Sequence, residues 1–191
     1  MKKTKRLSYC LSLIAVIYTV WYMHFDKPWT NDGALSTIGL THRWLFTLWG
    51  LLTLSALSLG VIAAFRTYHQ TRLYIPLLAV SAAGMVLTLS CRFAYRYHTE
   101  YILHCIGSLT FSVTMSVTVF LVFLLGWKKH FIFRLFAVLT AVITLTDTVF
   151  LITVQETGLI ETVPIFAGYL MLGAVNRRSD KLEATPQATA A

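Results

Sequence analysis

Residues 101–126 read YILHCIGSLTFSVTMSVTVFLVFLLG, a run without a single Lys, Arg, Asp or Glu. At 1.5 Å rise per residue, a helix of this length crosses the ~30 Å hydrocarbon core of a bilayer. Inside the run, His104, Ser108, Ser112 and Ser116 recur at every fourth position, which stacks them along one helical face. Such a row offers neighbouring helices a narrow hydrogen-bonding seam, with His104 within about one turn of the membrane surface. The rest of the chain has the same character. Of its 191 residues 57% are hydrophobic and 13% charged, whereas about a quarter are charged in ordinary soluble domains. Water cannot solvate that much apolar surface, so lipid is the expected solvent.

Working outward, five further apolar runs flank the first. The expected fold is all-α: a polytopic membrane protein of six transmembrane helices in one bundle, over residues 7–23, 44–65, 73–91, 101–126, 131–154 and 159–175. The opening MKKTKR is a cationic leader, but bulky WYMHFD follows the apolar run where a small-x-small cleavage site would stand. It therefore reads as an uncleaved first span. Pro28 and Asn31-Asp32-Gly33 mark turns in the longest loop, residues 24–43, and Pro76 falls in the first turn of the third span. The tail from 176 to 191 is polar and rich in small residues, the composition of a disordered segment.

The cations supply an independent test of this topology. With the N-terminus placed in the cytoplasm and six spans alternating, only Lys27, Arg43, Arg92 and Arg96 of the 16 cations fall outside. That bias predicts both termini on the cytoplasmic side. Trp21, Trp29, Trp44, Tyr95, Tyr97 and Tyr101 then gather at the outer interface, as an aromatic belt does. The expected location is a bacterial cytoplasmic membrane. A bundle using residues 1–175 leaves no room for a separate catalytic domain. The net charge of +8 lies in short loops and chain ends, where it meets anionic lipid headgroups, and no basic aromatic segment points to nucleic acid.

Ionisable groups within the membrane are the candidates for chemistry. Asp147, in ITLTDTVF, lies ~10 Å below the outer end of its span, with Thr140, Thr144 and Thr148 on the same face. A carboxylate at such depth costs roughly 2.5–3.5 kcal/mol on insertion scales, so it is expected to face the bundle or a wet cavity, or to be paired with an arginine or threonine hydroxyls. Glu161 enters the sixth span from the outer loop. Arg92, Arg96, His98 and Glu100 crowd the loop beside His104. Taken together, Arg92, Arg96, His104, Ser108, Asp147 and Glu161 form a candidate outward-facing binding site, with Arg92 or Arg96 as anion contact. Each also has a plainer role open to it, such as helix packing or an interfacial carboxylate in water. Cys10, Cys91 and Cys105 have no metal-ligand spacing; Cys91 and Cys105 approach the same membrane face, so they either pair or pack as small side chains. No HExxH, GxSxG, P-loop or GxGxxG occurs, nor an arginine repeat or inverted repeat, and no metal or cofactor is expected.

Three segments share an order worth noting: ALSTIGLTHRWLF before the second span, EYILHCIGSLTF at the start of the fourth, and TGLIETVPI at the start of the sixth. This pattern resembles the six-span bacterial membrane family of unknown function related to the FRAG/DRAM/Sfk-type membrane proteins. There a Ser-x-x-Gly precedes span two, a His begins span four and a Gly-(x)-x-Glu begins span six. Ser36 with Gly39, His104, and Gly158 with Glu161 stand in those positions. The acidic–Arg pair of span six is here Glu161-Thr162. The resemblance implies the six-span fold, in a family whose members are associated with lipid organisation or with no assigned activity.

Three functions follow as expectations. The first is a non-enzymatic protein whose outward-facing pocket binds a lipid headgroup or a partner membrane protein. The second is a membrane hydrolase or transferase on outer-leaflet lipid, with His104 as base and Asp147 orienting it within about 3–6 Å. The third is a small proton-coupled transporter with Asp147 and Glu161 as carriers.

Overall fold

Among the residues that the computed structural model describes (2–69, 71–94 and 98–183), every regular element is a helix. In chain order these are α1 (Lys2–Met23), α2 (Leu35–Thr41), α3 (Arg43–Tyr68), α4 (Tyr74–Ser90), α5 (His98–Leu125), α6 (Phe131–Val154) and α7 (Gly158–Glu183). Five of them are long and apolar enough to cross a membrane: Thr4–Met23, Arg43–Tyr68, Thr99–Leu125, Phe131–Val154 and Gly158–Arg177. The chain is thus a helical bundle of multi-pass membrane character. Helix α4 is equally apolar but has 17 residues, ~25 Å of helix, at the lower limit for a span.

Helix α3 is the axis. It packs against α1, α2, α4, α5 and α7 and meets α6 through Tyr68 and Phe133, whose ring centroids lie 5.1 Å apart, whereas α6 packs mainly on its neighbours α5 and α7. Burial follows: 56% of the α3 span is inside the protein against 11% for α6. The tightest pairing, α4 with α5, depends on missing side chains. A Cβ on Gly107 would stand 2.6 Å from Thr88 N and 2.8 Å from Gly84 O, and one on Gly84 would stand 2.7 Å from Phe111 N. The two backbones therefore meet directly, and the Ser81 and Thr114 hydroxyls add a 2.6 Å hydrogen bond across the seam. Phe65, Val122, Phe123 and Phe133 fill the core nearer the other end, all essentially inaccessible.

Two boundaries differ from the sequence reading. Helix α7 continues to Glu183, beyond the expected end at 175, so part of the segment read as disordered tail is helical; residues 184–191 lie outside the described residues. The loop over 24–43 also contains α2, whose Leu35, Ser36, Ile38 and Gly39 are buried. This loop folds over one end of the bundle. Arg43 donates to the Leu89 and Ser90 carbonyls at the end of α4, at 2.8 and 2.9 Å. Asn31 Nδ2 donates to the Glu156 carbonyl at 3.1 Å, and Leu159 N–H to the Pro28 carbonyl at 3.0 Å. At the opposite end Tyr68 OH donates to the Val175 carbonyl at 2.9 Å, Lys129 Nζ donates to the Tyr68 carbonyl, and His69 Nε2 donates to the Val122 carbonyl at 2.9 Å. Burial lowers the His69 pKa, the bond to Val122 opposes the shift, and the Lys129 charge adds to it.

Candidate functional site

Helix α2 is preceded at its N-cap by Ala34, a residue with no side chain able to cap it. The cap arrives from α7. Leu35 N–H and Ser36 N–H (3.4 Å) donate to the Glu161 carboxylate, and the Ser36 hydroxyl donates to it at 2.6 Å. Glu161 is presented by an α7 start that is itself well made: Thr157 Oγ1 accepts from Ile160 N–H at 3.3 Å, and Gly158 leaves room for the Gly33 carbonyl, which a Cβ would meet at 2.5 Å. The N-terminal dipole of α2 favours the carboxylate there as well.

His104 completes the cluster from α5. Its Nε2 lies 3.3 Å from Ser36 Oγ and its Nδ1 lies 3.2 Å from the Cys91 carbonyl. A carbonyl only accepts, so Nδ1 carries a proton. The single Ser36 hydroxyl hydrogen cannot serve both Glu161 and Nε2. Both contacts are hydrogen bonds only when one more proton sits on the carboxyl or on Nε2, which leaves the trio electrically neutral. Neutrality is what a low-dielectric surrounding favours. Phe46 and Phe93 flank the imidazole, with ring centroids 5.9 and 5.2 Å away, and His104 is 1% exposed. Gly39 lets Phe46 close over α2, where a Cβ would be 2.8 Å from the ring.

Beside this cluster lies a cavity of about 700 Å³ between α5, α6 and α7, floored by Leu57 of α3. Ser108, Ser112 and Ser116 line it from α5, and Thr140, Thr144, Asp147 and Thr148 from α6. The serine row expected to join neighbouring helices therefore faces open space instead, and none of its three hydroxyls has a hydrogen-bond partner among the described residues. Asp147 likewise has none. Glu161, Glu156 and Asp32 sit around the end nearest the α2 loop. Burial raises the Glu156 carboxyl, in the α6–α7 connection, to about 7. Next to it Gln155 has φ 72° and ψ −173°, a conformation other residues leave to glycine, and Asn31 Nδ2 sits 3.5 Å from its side-chain oxygen. A second, 40 Å³ space, large enough for a water molecule, touches Ser36, Thr88, Ser108, Ser112 and Glu161.

Of the residues singled out by sequence, Ser108, Asp147 and Glu161 line the large cavity, and His104 stands one hydrogen bond behind Glu161 through Ser36. Arg92 is exposed and does not line the cavity; its backbone N–H donates to Glu100 at 3.3 Å. Arg96 lies outside the described residues, as do Tyr95 and Tyr97. Cys91 and Cys105 are both free thiols. His104 and Asp147 are not hydrogen-bonded to each other, since both imidazole nitrogens have other partners. Sequence reading passed over Leu35 and Ser36 amides as ligands of Glu161, and over Tyr22, whose OH donates to the Leu35 carbonyl at 3.2 Å. No family model, curated protein or solved structure matches the chain.

Proposed function

We propose that the protein is a six-span integral membrane protein of a bacterial cytoplasmic membrane, with both termini cytoplasmic, that binds the head of a membrane amphiphile in the cavity between α5, α6 and α7. The cavity itself carries the reading: two rows of hydroxyls and the unpartnered Asp147 surround a space of drug-sized ligand volume, within helices of membrane length. Polar groups left open at that depth are costly unless something hydrogen-bonds to them. The outward orientation is supported by the cation distribution, which puts the α2 loop outside. Contact between Ser36 and both His104 and Glu161 supports the proposed relation to the FRAG/DRAM/Sfk-type proteins, because the matched motifs meet in one cluster.

A binding role fits better than acyl transfer at Ser36. The α2 amides that could stabilise an oxyanion are already taken by Glu161, and Ser36 is 4% exposed. Native mass spectrometry of the full chain, released from gentle detergent, tests the reading. Retained lipid should be lost when Ser112→Trp fills the cavity. A lipid-free protein whose melting temperature is the same with and without added membrane lipid overturns it.

A further inference from the structure

The chemistry of the cavity wall goes further than its size. Four carboxylates, Asp32, Asp147, Glu156 and Glu161, reach it, and among the described residues it has no Lys, Arg or His. Glu161 is already met by the α2 amides and Ser36, whereas Asp147 has no hydrogen-bond partner among the described residues. Asp147 lies ~10 Å along α6 from Val154, in a wall it shares with Ser108, Ser112 and Ser116 of α5 and with Thr144 one turn before it. Below, Met115, Val119 and Met171 make the wall apolar. We propose that the occupant is a cationic amphiphile: an ammonium head paired with Asp147 and hydrogen-bonded by the α5 serines, with an apolar chain against the lower wall. This rests on the cavity being a binding site and fixes the sign of its ligand. Among the described residues an anionic phosphate head in the same place would meet acidic side chains and no cation, whereas an ammonium offers N–H donors to both the Asp147 carboxylate and the hydroxyl oxygens.

The test uses the full chain in neutral detergent with three single-chain probes: hexadecylamine, hexadecyl sulfate and a neutral monoglyceride of similar length. Binding is read by native mass spectrometry and by the shift in melting temperature, for the wild type, Asp147→Asn and Ser112→Trp. The amine is expected to bind one per chain at least tenfold more tightly than the sulfate. Asp147→Asn should weaken it tenfold or more while leaving the unliganded melting temperature unchanged or higher, and Ser112→Trp should abolish it. If the sulfate or monoglyceride binds as well as the amine and is lost in Ser112→Trp, the cationic assignment falls while the cavity remains a binding site. Amine binding indifferent to Asp147→Asn also overturns the assignment. If no probe binds at a site sensitive to Ser112→Trp, both readings fall.

Discussion

Replacing Glu161 tests whether α2 exists because α7 caps it. Helix α2 has 7 residues, too few to hold itself without tertiary support, and its Leu35 and Ser36 amides are buried. Glu161→Ala strands both amides, while the Ser36 hydroxyl keeps His104 Nε2 as an acceptor. At about 1–3 kcal/mol per buried unsatisfied donor, and with part of the loss relieved by relaxation or water in the adjoining 40 Å³ space, the expected destabilisation is about 3–4 kcal/mol. Glu161→Gln keeps one acceptor oxygen and places an NH₂ against donors, for about 1–2 kcal/mol. Ser36→Ala removes the hydroxyl shared by Glu161 and His104. Combined with Glu161→Gln it should show a coupling energy of about 1–2 kcal/mol, because the two changes break the same bond. Unfolding free energies from SDS titration in mixed micelles measure the three values. Hydrogen exchange across 35–41 locates them, since loss of the cap should speed exchange there far more than in α4 or α5. A Glu161→Ala protein within about 0.5 kcal/mol of wild type, with unchanged exchange over 35–41, refutes the capping role.

Other consequences can be checked separately. Gly107→Leu should prevent α4 and α5 from docking, at more than about 3 kcal/mol, because its side chain would run into Thr88 N and Gly84 O; Gly173→Ala meets nothing within 4 Å and should stabilise α7 by about 0.5–1 kcal/mol, both read from the same titration. Gln155→Gly should raise stability by about 1 kcal/mol by releasing the positive φ, and a loss instead would show that the Asn31 contact outweighs the strain. The His69 pKa is lowered on folding, so the unfolded chain binds the proton first. Stability should therefore fall as pH drops below the ordinary 6.5, and His69→Gln should flatten that limb. Glu156 has the opposite sign: with its carboxyl raised from 4.5 to about 7, stability falls as pH rises through that interval and is flat above it. Glu156→Gln should recover about 1–2 kcal/mol at pH 8, after discounting for partial exposure.

What the sequence revealed and what it hid divide along one physical line. The long helices were legible because apolar length is a local property: the expected run over 131–154 coincides with α6, and those over 44–65 and 73–91 fall within a few residues of α3 and α4. The partners of polar groups are not local. Nothing near Ala34 announces a cap for α2, because the capping carboxylate, Glu161, lies 125 positions after Ser36. The direction of a helical face is hidden for the same reason. On α5 the periodicity identified Ser108, Ser112 and Ser116 as one row, but only packing decides that α4 takes a different face, through Gly107 and Thr114. A signal for that choice was present: Ser81, Gly84 and Thr88 give α4 a small-residue stripe matching Gly107, and two backbones that can touch gain more from doing so than from sharing serine hydroxyls. Once α4 occupies that face, the serines must look elsewhere. With α6 packed mainly on α5 and α7, what they look into is the acid-lined cavity, so the open site is a consequence of where the glycines are.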